Sequence, residues 1–273
     1  MQAASRESYK VAVEHLDAYV RGAEPSAVAT TAGDILSVAD LLRREPRLRR
    51  ALSDPARSGA DRAGLLGELL RGKVGAEALD LVASLVAGRW SVPSELLSAT
   101  EQLGIDALLA SADSAGELGE VEDELFRFGQ VVAGSPQLSS ALSDSAVPAD
   151  RRATLVDQLL VGKARPITGY LIGVALAGFG GRNLSGALSR LVELAAERRD
   201  RQVAYVTAAA PLSEEEERRL GASLSAIYGR EVSVKQTVDP SVLGGVSVRV
   251  GSDLYDGTVL RRLNESRNAL AKR

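Results

Sequence analysis

Apolar residues recur at three- and four-residue intervals through most of the chain, then switch to strict alternation near its end. Tyr9, Ala12, Val13, Leu16 and Val20 share one face of a first predicted helix, which Ser5 can cap and Gly22 and Pro25 end. Val28, Ala32, Ile35, Ala39 and Leu42 define a second, interrupted at Glu45-Pro46. A short amphipathic helix runs from Asp61 to Leu70, stopped by Gly72. Ala76 to Ala87 is apolar almost all round, as in a helix central to a bundle. Ser94 to about Ala112 is a long helix with Leu97, Thr100, Leu103, Gly104, Ala107 and Leu108 inward.

The pattern then repeats. Pro46–Lys73 and Pro136–Lys163 align without a gap at an offset of 90 residues, with 14 of 28 positions identical. Chance gives roughly one match in ten or fewer at ordinary composition, so the chain carries an internal duplication. The two copies are expected to superpose helix for helix, with Leu65 over Leu155 and Leu69 over Leu159 as core positions. Val121, Leu125, Phe128 and Val132 form the apolar stripe that opens the second unit. Arg165-Pro166 starts its central helix, Gly178 to Gly181 ends it, and Leu184 to about Arg199 is its long helix.

The charged run Glu197–Arg201 marks the change of period. Gln202 to Ala208 reads as a strand. Ser213 and the carboxylates Glu214 to Glu217 start a helix with Leu220, Leu224 and Ile227 inward and Gly229 at its end. Glu231 to Val238 alternates as a second strand. Asp239-Pro240 turns the chain, and Gly244-Gly245 lets the backbone take unusual angles or approach a neighbour closely. Val246, Val248 and Val250 alternate with Ser247 and Arg249, and Gly251 turns into a short strand at Leu254-Tyr255. Asp256-Gly257 opens a last helix striped by Val259, Leu260, Leu263, Ser266, Arg267 and Leu270. The predicted fold class is mostly α: two related helical bundles, 1–112 and 113–200, then a small α+β domain, 201–273.

Composition narrows the chemistry. The 273 residues are 45% hydrophobic but only 4% aromatic, so the cores are built from Leu, Val and Ala. There is no cysteine, which removes disulfides and thiolate metal sites. A net charge of −3 offers no global attraction for nucleic acid. Met1 to Lys10 has no apolar core, which predicts no secretory leader, and no apolar run approaches the roughly 20 residues of a membrane helix. A soluble protein is expected.

No catalytic, cofactor-binding or metal-ligating constellation is visible. Gly67 to Val74 nearly matches a phosphate-binding loop, but Val74 cannot supply the magnesium-binding hydroxyl, and the second copy has Asp157 and Ala164 at the ends of the pattern. Leu-Leu-x-Gly-Lys survives in both copies as a helix and its cap. Gly178 to Asn183 reads as a helix end and turn. His15 is the single histidine and is expected on the surface, where one imidazole makes no metal site. Trp90 is expected to pack between helices. Glu214 to Glu217 is explained by helix capping, and Arg261, Arg262, Arg267, Lys272 and Arg273 form a basic helix end without interleaved aromatics.

Asp239, Pro240, Leu243, Gly244, Gly245, Arg249, Gly251, Asp256, Gly257, Val259 and Leu263 occur in an order and spacing that resembles the C-terminal signature of the F-type ATP synthase delta subunit, the oligomycin-sensitivity-conferring protein family. A typical member of that family has one helical bundle before the α+β domain, and the two bundles here resemble the longer actinobacterial form. The resemblance implies a non-catalytic stator subunit without cofactors. Its implied partners are the N-terminal helix of a head alpha subunit for a bundle and the C-terminal end of the b subunit for the α+β domain. It also implies a peripheral position on the cytoplasmic face of the plasma membrane. The second bundle, contiguous with the α+β domain, is expected to keep the head contact through its helices at 118–132 and 184–199. A different reading of the same residues is a helical-repeat scaffold whose C-terminal domain binds peptide or RNA.

Overall fold

The computed structural model describes residues 1–144, 147, 149–259 and 261. Twelve α-helices and one four-stranded sheet are present among them. The helices are α1 (Ala3–Val20), α2 (Pro25–Arg44), α3 (Pro46–Leu52), α4 (Gly59–Leu70), α5 (Ala76–Ala87), α6 (Pro93–Ser114), α7 (Leu118–Gly134), α8 (Pro136–Ser143), α9 (Ala149–Leu160), α10 (Pro166–Leu176), α11 (Leu184–Arg198) and α12 (Glu214–Tyr228). The strands are β1 (Arg201–Ala208), β2 (Glu231–Val238), β3 (Val246–Val250) and β4 (Asp253–Asp256). The fold is helical first and α+β at its end, as the periodicity predicts. The expected last helix, with Leu260, Leu263, Ser266, Arg267 and Leu270, lies outside the described residues apart from its opening.

Contacts divide the chain into two compact units: Met1–Val121 with Gln137–Ala187, and Glu122–Pro136 with Leu188–Arg273. Helices α7 and α11 each begin in the first unit and end in the second.

In the first unit the duplication is visible element by element. Helices α3, α4 and α5 start at 46, 59 and 76, and α8, α9 and α10 start at 136, 149 and 166. Gly72 and Gly162 end the short helices α4 and α9 with positive φ, +76° and +68°. The identical pair Arg62 and Arg152 does the same work in both copies. Buried Arg62 donates through Nε to the carbonyl of Val86 at 3.0 Å, through Nη1 to Asp54 and Arg57, and through Nη2 to Ala87 and Gly88. It thereby satisfies the last carbonyls of α5, which have no partners within their own helix. Arg152 donates to the carbonyls of Leu142 and Leu176, the latter 90 residues beyond Val86.

The α4 face differs from the expectation. Leu66 and Leu70 are buried with Arg62, while Leu65 is half-buried and Leu69 is 39% exposed. In the second copy Val156 is buried, and Leu155 and Leu159 are half-buried. The buried line is therefore 62–66–70, one residue round from the expected 65–69. Apolar residues at both 65–66 and 69–70 leave two stripes open to periodicity, and the arginine cap selects one of them.

Helix α6 is buried on nearly every side from Ala99 to Ala112, because α1, α2, α3 and α5 surround it and α10 also packs on it. It meets α10 as α1 meets α5, so one helix serves both copies. A Cβ on Gly104 would come within 2.7 Å of Leu36, so this glycine sets the approach of α2 to α6. Ser5 lies inside α1 instead of capping it. It is buried, donates to Glu95 Oε2 at 2.6 Å and accepts the Ser91 N–H at 3.1 Å. Trp90 is buried with its indole N–H on the Leu85 carbonyl at 2.8 Å, and His15 is exposed.

In the second unit the sheet order is β2-β1-β3-β4, with β1 parallel to β2 and the other pairs antiparallel. Helix α12 makes the β1-to-β2 crossover and covers one face, closing a core of Ala204, Val206, Leu224, Val232, Val248 and Val250. Ser213 and Glu216 form a reciprocal capping box at its start. Tyr228 packs against this core, whereas Ile227, expected inward, is 65% exposed. At i+4 from Leu224 the stripe falls on Tyr228, and i+3 falls outside it.

Candidate interaction surfaces

Among the described residues no group of three His, Asp or Glu side chains could hold a metal ion. What the chain builds instead are joints and grooves. The near-phosphate-loop segment is the end of α4 and its glycine turn. Gly178 to Gly181 is a turn after α10.

The sequence-matched segment Asp239–Val259 works through backbone geometry. The Asp239 carboxylate accepts the Ser241 N–H at 2.9 Å, and its own N–H donates to the Ala208 carbonyl, tying the turn to the end of β1. Hydrogen bonds from Ser241, side chain then backbone, hold the Asp239 carboxyl below its ordinary range. The same arrangement recurs at Asp256, whose carboxylate takes the Thr258 N–H at 2.9 Å. Gly245 has φ +78°, and a Cβ on it would sit 2.4 Å from the Gly257 carbonyl. Gly257 donates to Val246 at 2.9 Å and Val259 to Gly244 at 3.0 Å, so two matched glycine sites lie backbone on backbone. Gly251, at φ +57°, makes the tight β3–β4 turn. Pro240 is exposed, as are Leu243 at 67% and, on the outer edge strand β4, Leu254 at 63%. Leu263 lies outside the described residues.

Arg249 places its guanidinium 4.8 Å from the centroid of the Tyr205 ring. Tyr205 points to the face of the sheet opposite α12, which α7 and α11 cover. There its ring lies 6.3 Å from Phe126, and its hydroxyl donates to the Ser189 carbonyl at 3.3 Å. Burial pushes the Tyr205 phenol up to about 12.

The centre of this seam is ionic. Glu122, at 0% exposure, accepts from Lys235 Nζ at 2.7 Å, Arg199 Nη1 at 3.0 Å and Ser233 Oγ at 2.7 Å. Lys235, also buried, reaches Asp123 Oδ1 at 2.5 Å, and Gln130 donates to Thr237 at 2.9 Å. Three elements, α7, β2 and the end of α11, are thus locked by charges whose burial is costly unless all are paired. None of these residues stands out in the sequence: Glu122 and Asp123 read as the solvent face of α7, and Lys235 as an outward strand position. The helices expected to offer head-binding faces, at 118–132 and 184–199, turn their apolar stripes inward and these polar residues toward the sheet.

The first unit holds an open groove of about 750 Å³ between α2 and the α9–α10 pair. Gly33 and Ser37 line one wall and Gly169 and Gly173 the other, with Val161 and Tyr170 at the rim. At its floor Arg43 pairs with buried Glu101 at 2.6 Å.

A sequence model described as "ATP synthase delta (OSCP) subunit" matches residues 106–270, which hold all of the joint just described. The chain belongs to the ATP synthase delta (OSCP) subunit family. ATP synthase subunit delta of Salinispora arenicola is 78% identical over 100% of both chains, and that of Streptomyces griseus is 46% identical over 99% of this chain and 100% of the relative. A chain in a cryo-EM structure of the Toxoplasma gondii mitochondrial ATP synthase hexamer matches 61% of this chain and 94% of its own at 20% identity and a TM-score of 0.38. As a delta/OSCP chain it is a structural component of the peripheral stalk of an F-type ATP synthase, not a catalytic one. No helix among the described residues is long and apolar enough to cross a membrane.

Proposed function

We propose that this chain links the catalytic head to the b-subunit stalk and resists the torque of the rotor, so that proton flow stays coupled to ATP synthesis. The helical region takes the N-terminal helix of a head alpha subunit, and the α+β domain at 201–273 takes the C-terminal end of the b subunit. The work is done on the cytoplasmic face of the plasma membrane, where the chain is held by its partners. In this reading two related helical units, 1–112 and 113–200, precede the stalk-binding domain, and the hydrogen bonds and ion pairs of Glu122 with Lys235 and Ser233 join α7 to its sheet.

The observation that carries this reading is the match of residues 106–270 to the family, over a segment built as a joint. A tether under torque needs multipoint, non-covalent fixation, and the Glu122 cluster with the glycine-packed turn supplies stiffness without chemistry.

The test uses the intact chain, since cutting at residue 200 would strip Glu122 of Lys235 and Ser233. Inverted membranes stripped of this chain should keep ATP hydrolysis by the head and lose ATP-driven proton pumping, which the purified chain restores. A tagged chain should bring alpha and b subunits off detergent-treated membranes at one copy per enzyme. Undiminished pumping by membranes that lack the chain would defeat the proposal.

A further inference from the structure

The duplication makes each copy a control for the other, and the two differ at one corner. Helix α1 starts at 3 and α6 at 93, so α6 closes the first copy and opens the second. In the first copy the end of α5 is locked. Arg62 donates to the carbonyls of Val86, Ala87 and Gly88, and the Trp90 indole N–H donates to that of Leu85. Four consecutive carbonyls at a helix end, where partners within the helix run out, are held by two buried side chains.

The second copy keeps the arginine and loses the grip. The Val86 carbonyl receives Arg62 Nε at 3.0 Å, whereas the Leu176 carbonyl, its counterpart, receives Arg152 Nη1 at 3.5 Å. Arg152 Nε is buried without a hydrogen-bond partner, a costly state for a charged donor. Gly180 stands at the position of Trp90, and Ala175 at that of Leu85. The neighbouring Phe179 is buried, but a phenyl ring has no N–H to give a carbonyl. Gly178, Gly180 and Gly181 have φ of +83°, +60° and +71°, so the turn after α10 is built from the least restricted backbone.

Burial and propensity follow the same trend. Arg62, Leu66 and Leu70 are buried on α4; of their counterparts on α9 only Val156 is, and Arg152 and Leu160 are half-buried. Inside α10, Gly169 and Gly173 stand where α5 has Leu79 and Ala83. A Cβ on either meets nothing within 4 Å and neither has positive φ, so neither packing nor backbone calls for glycine. Each lowers helix stability relative to alanine. Gly64 and Gly67 in α4 stand against Thr154 and Asp157 in α9, so the excess of glycine is specific to α10.

We propose that the two copies are unequal by construction: the first braces the shared helix α6, and the second opens at the α9–α10 corner while α6 stays folded. The opening starts at the glycine-rich end of α10 and releases the Gly180 N–H from Glu101, 3.4 Å away. Glu101 keeps Arg43 at 2.6 Å, and α6 keeps α1, α2, α3 and α5 around it. The proposal does not rest on the stator reading; a stator chain so built has a compliant segment beside a stiff one.

The test is native-state hydrogen exchange of the full chain, read by mass spectrometry and corrected for intrinsic amide rates. Amides of α10 should exchange roughly tenfold to a hundredfold faster than those of α5, and those of α6 should stay in the slowest class. Gly169→Ala with Gly173→Ala should slow α10 by about tenfold or more and leave α5 unchanged. Arg62→Met should bring α5 to the rate of α10, whereas Arg152→Met should change α10 by less than about threefold. The comparison within the parent chain needs no variant to fold. Equal protection of α5 and α10, or faster exchange in α5, overturns the proposal. So does exchange of α6 in step with α10, since the copies would then open as one.

Discussion

The Glu122 cluster offers the sharpest test of how the joint is held. Glu122→Gln removes the one charge that Lys235 and Arg199 share, at a site with 0% exposure. Lys235 is then left buried with Asp123 alone, and Asp123 is half in water. Removing one partner of a buried pair costs about 3–5 kcal/mol, because the other charge stays desolvated. Arg199 is 27% exposed and can turn to solvent, so the cost should fall at the lower end, about 3 kcal/mol. For a unit of about 100 residues that lowers the melting temperature by some 12 °C or more. Lys235→Met should cost about 2–3 kcal/mol, since Glu122 keeps Arg199 and Ser233. The double variant should cost at least about 1 kcal/mol less than the sum, because no unpaired charge remains at the centre. The assay is hydrogen exchange of the β1 and β2 amides with urea unfolding followed by circular dichroism. Trp90 belongs to the first unit, so its fluorescence is an internal control that should report a smaller change. Additivity of the two substitutions within about 0.5 kcal/mol would refute the claim that these charges act as one cluster.

Gly245→Ala should destabilise by about 2–4 kcal/mol in chemical unfolding, since its Cβ would meet the Gly257 carbonyl, whereas Gly251→Ala, with open space around it, should cost about 1 kcal/mol. Leu66→Ala should cost about 2–5 kcal/mol and Leu69→Ala under about 1, and equal losses would place the α4 face wrongly. Arg62→Lys should cost about 2–4 kcal/mol by thermal melting, because an ammonium cannot span the carbonyls of both the 54–57 loop and the α5 end. The Glu95 carboxyl is held low, chiefly by the Ser5 hydroxyl. Its contribution is present above the ordinary carboxylate range and lost as pH falls through the lowered pKa, so Glu95→Gln should flatten that part of the acid melt.

Most of the secondary structure was legible in the sequence, because helix and strand ends depend on local chemistry. Pro25, Pro46, Pro93, Pro136 and Pro166 each open a helix, and Ser213 with Glu216 closes a box that four residues suffice to specify. The duplication and the C-terminal family pattern are likewise properties of residue order alone. Which face a helix buries is not local. Leu69 and Ile227 have the right residue type at an apolar spacing, yet Leu66 and Tyr228 take the interior, because the neighbouring elements choose between adjacent stripes. Ser5 could have been a cap, and Glu95 and Ser91 across the bundle made it a buried hydrogen-bonding node. The largest tertiary decision is the ionic seam. Glu122, Arg199 and Lys235 are ordinary surface residues until α7, α11 and β2 converge, when their burial makes each charge depend on the others. Residues this far apart along the chain, 77 positions between Glu122 and Arg199, share no local signal, so only the packed chain could bring them together.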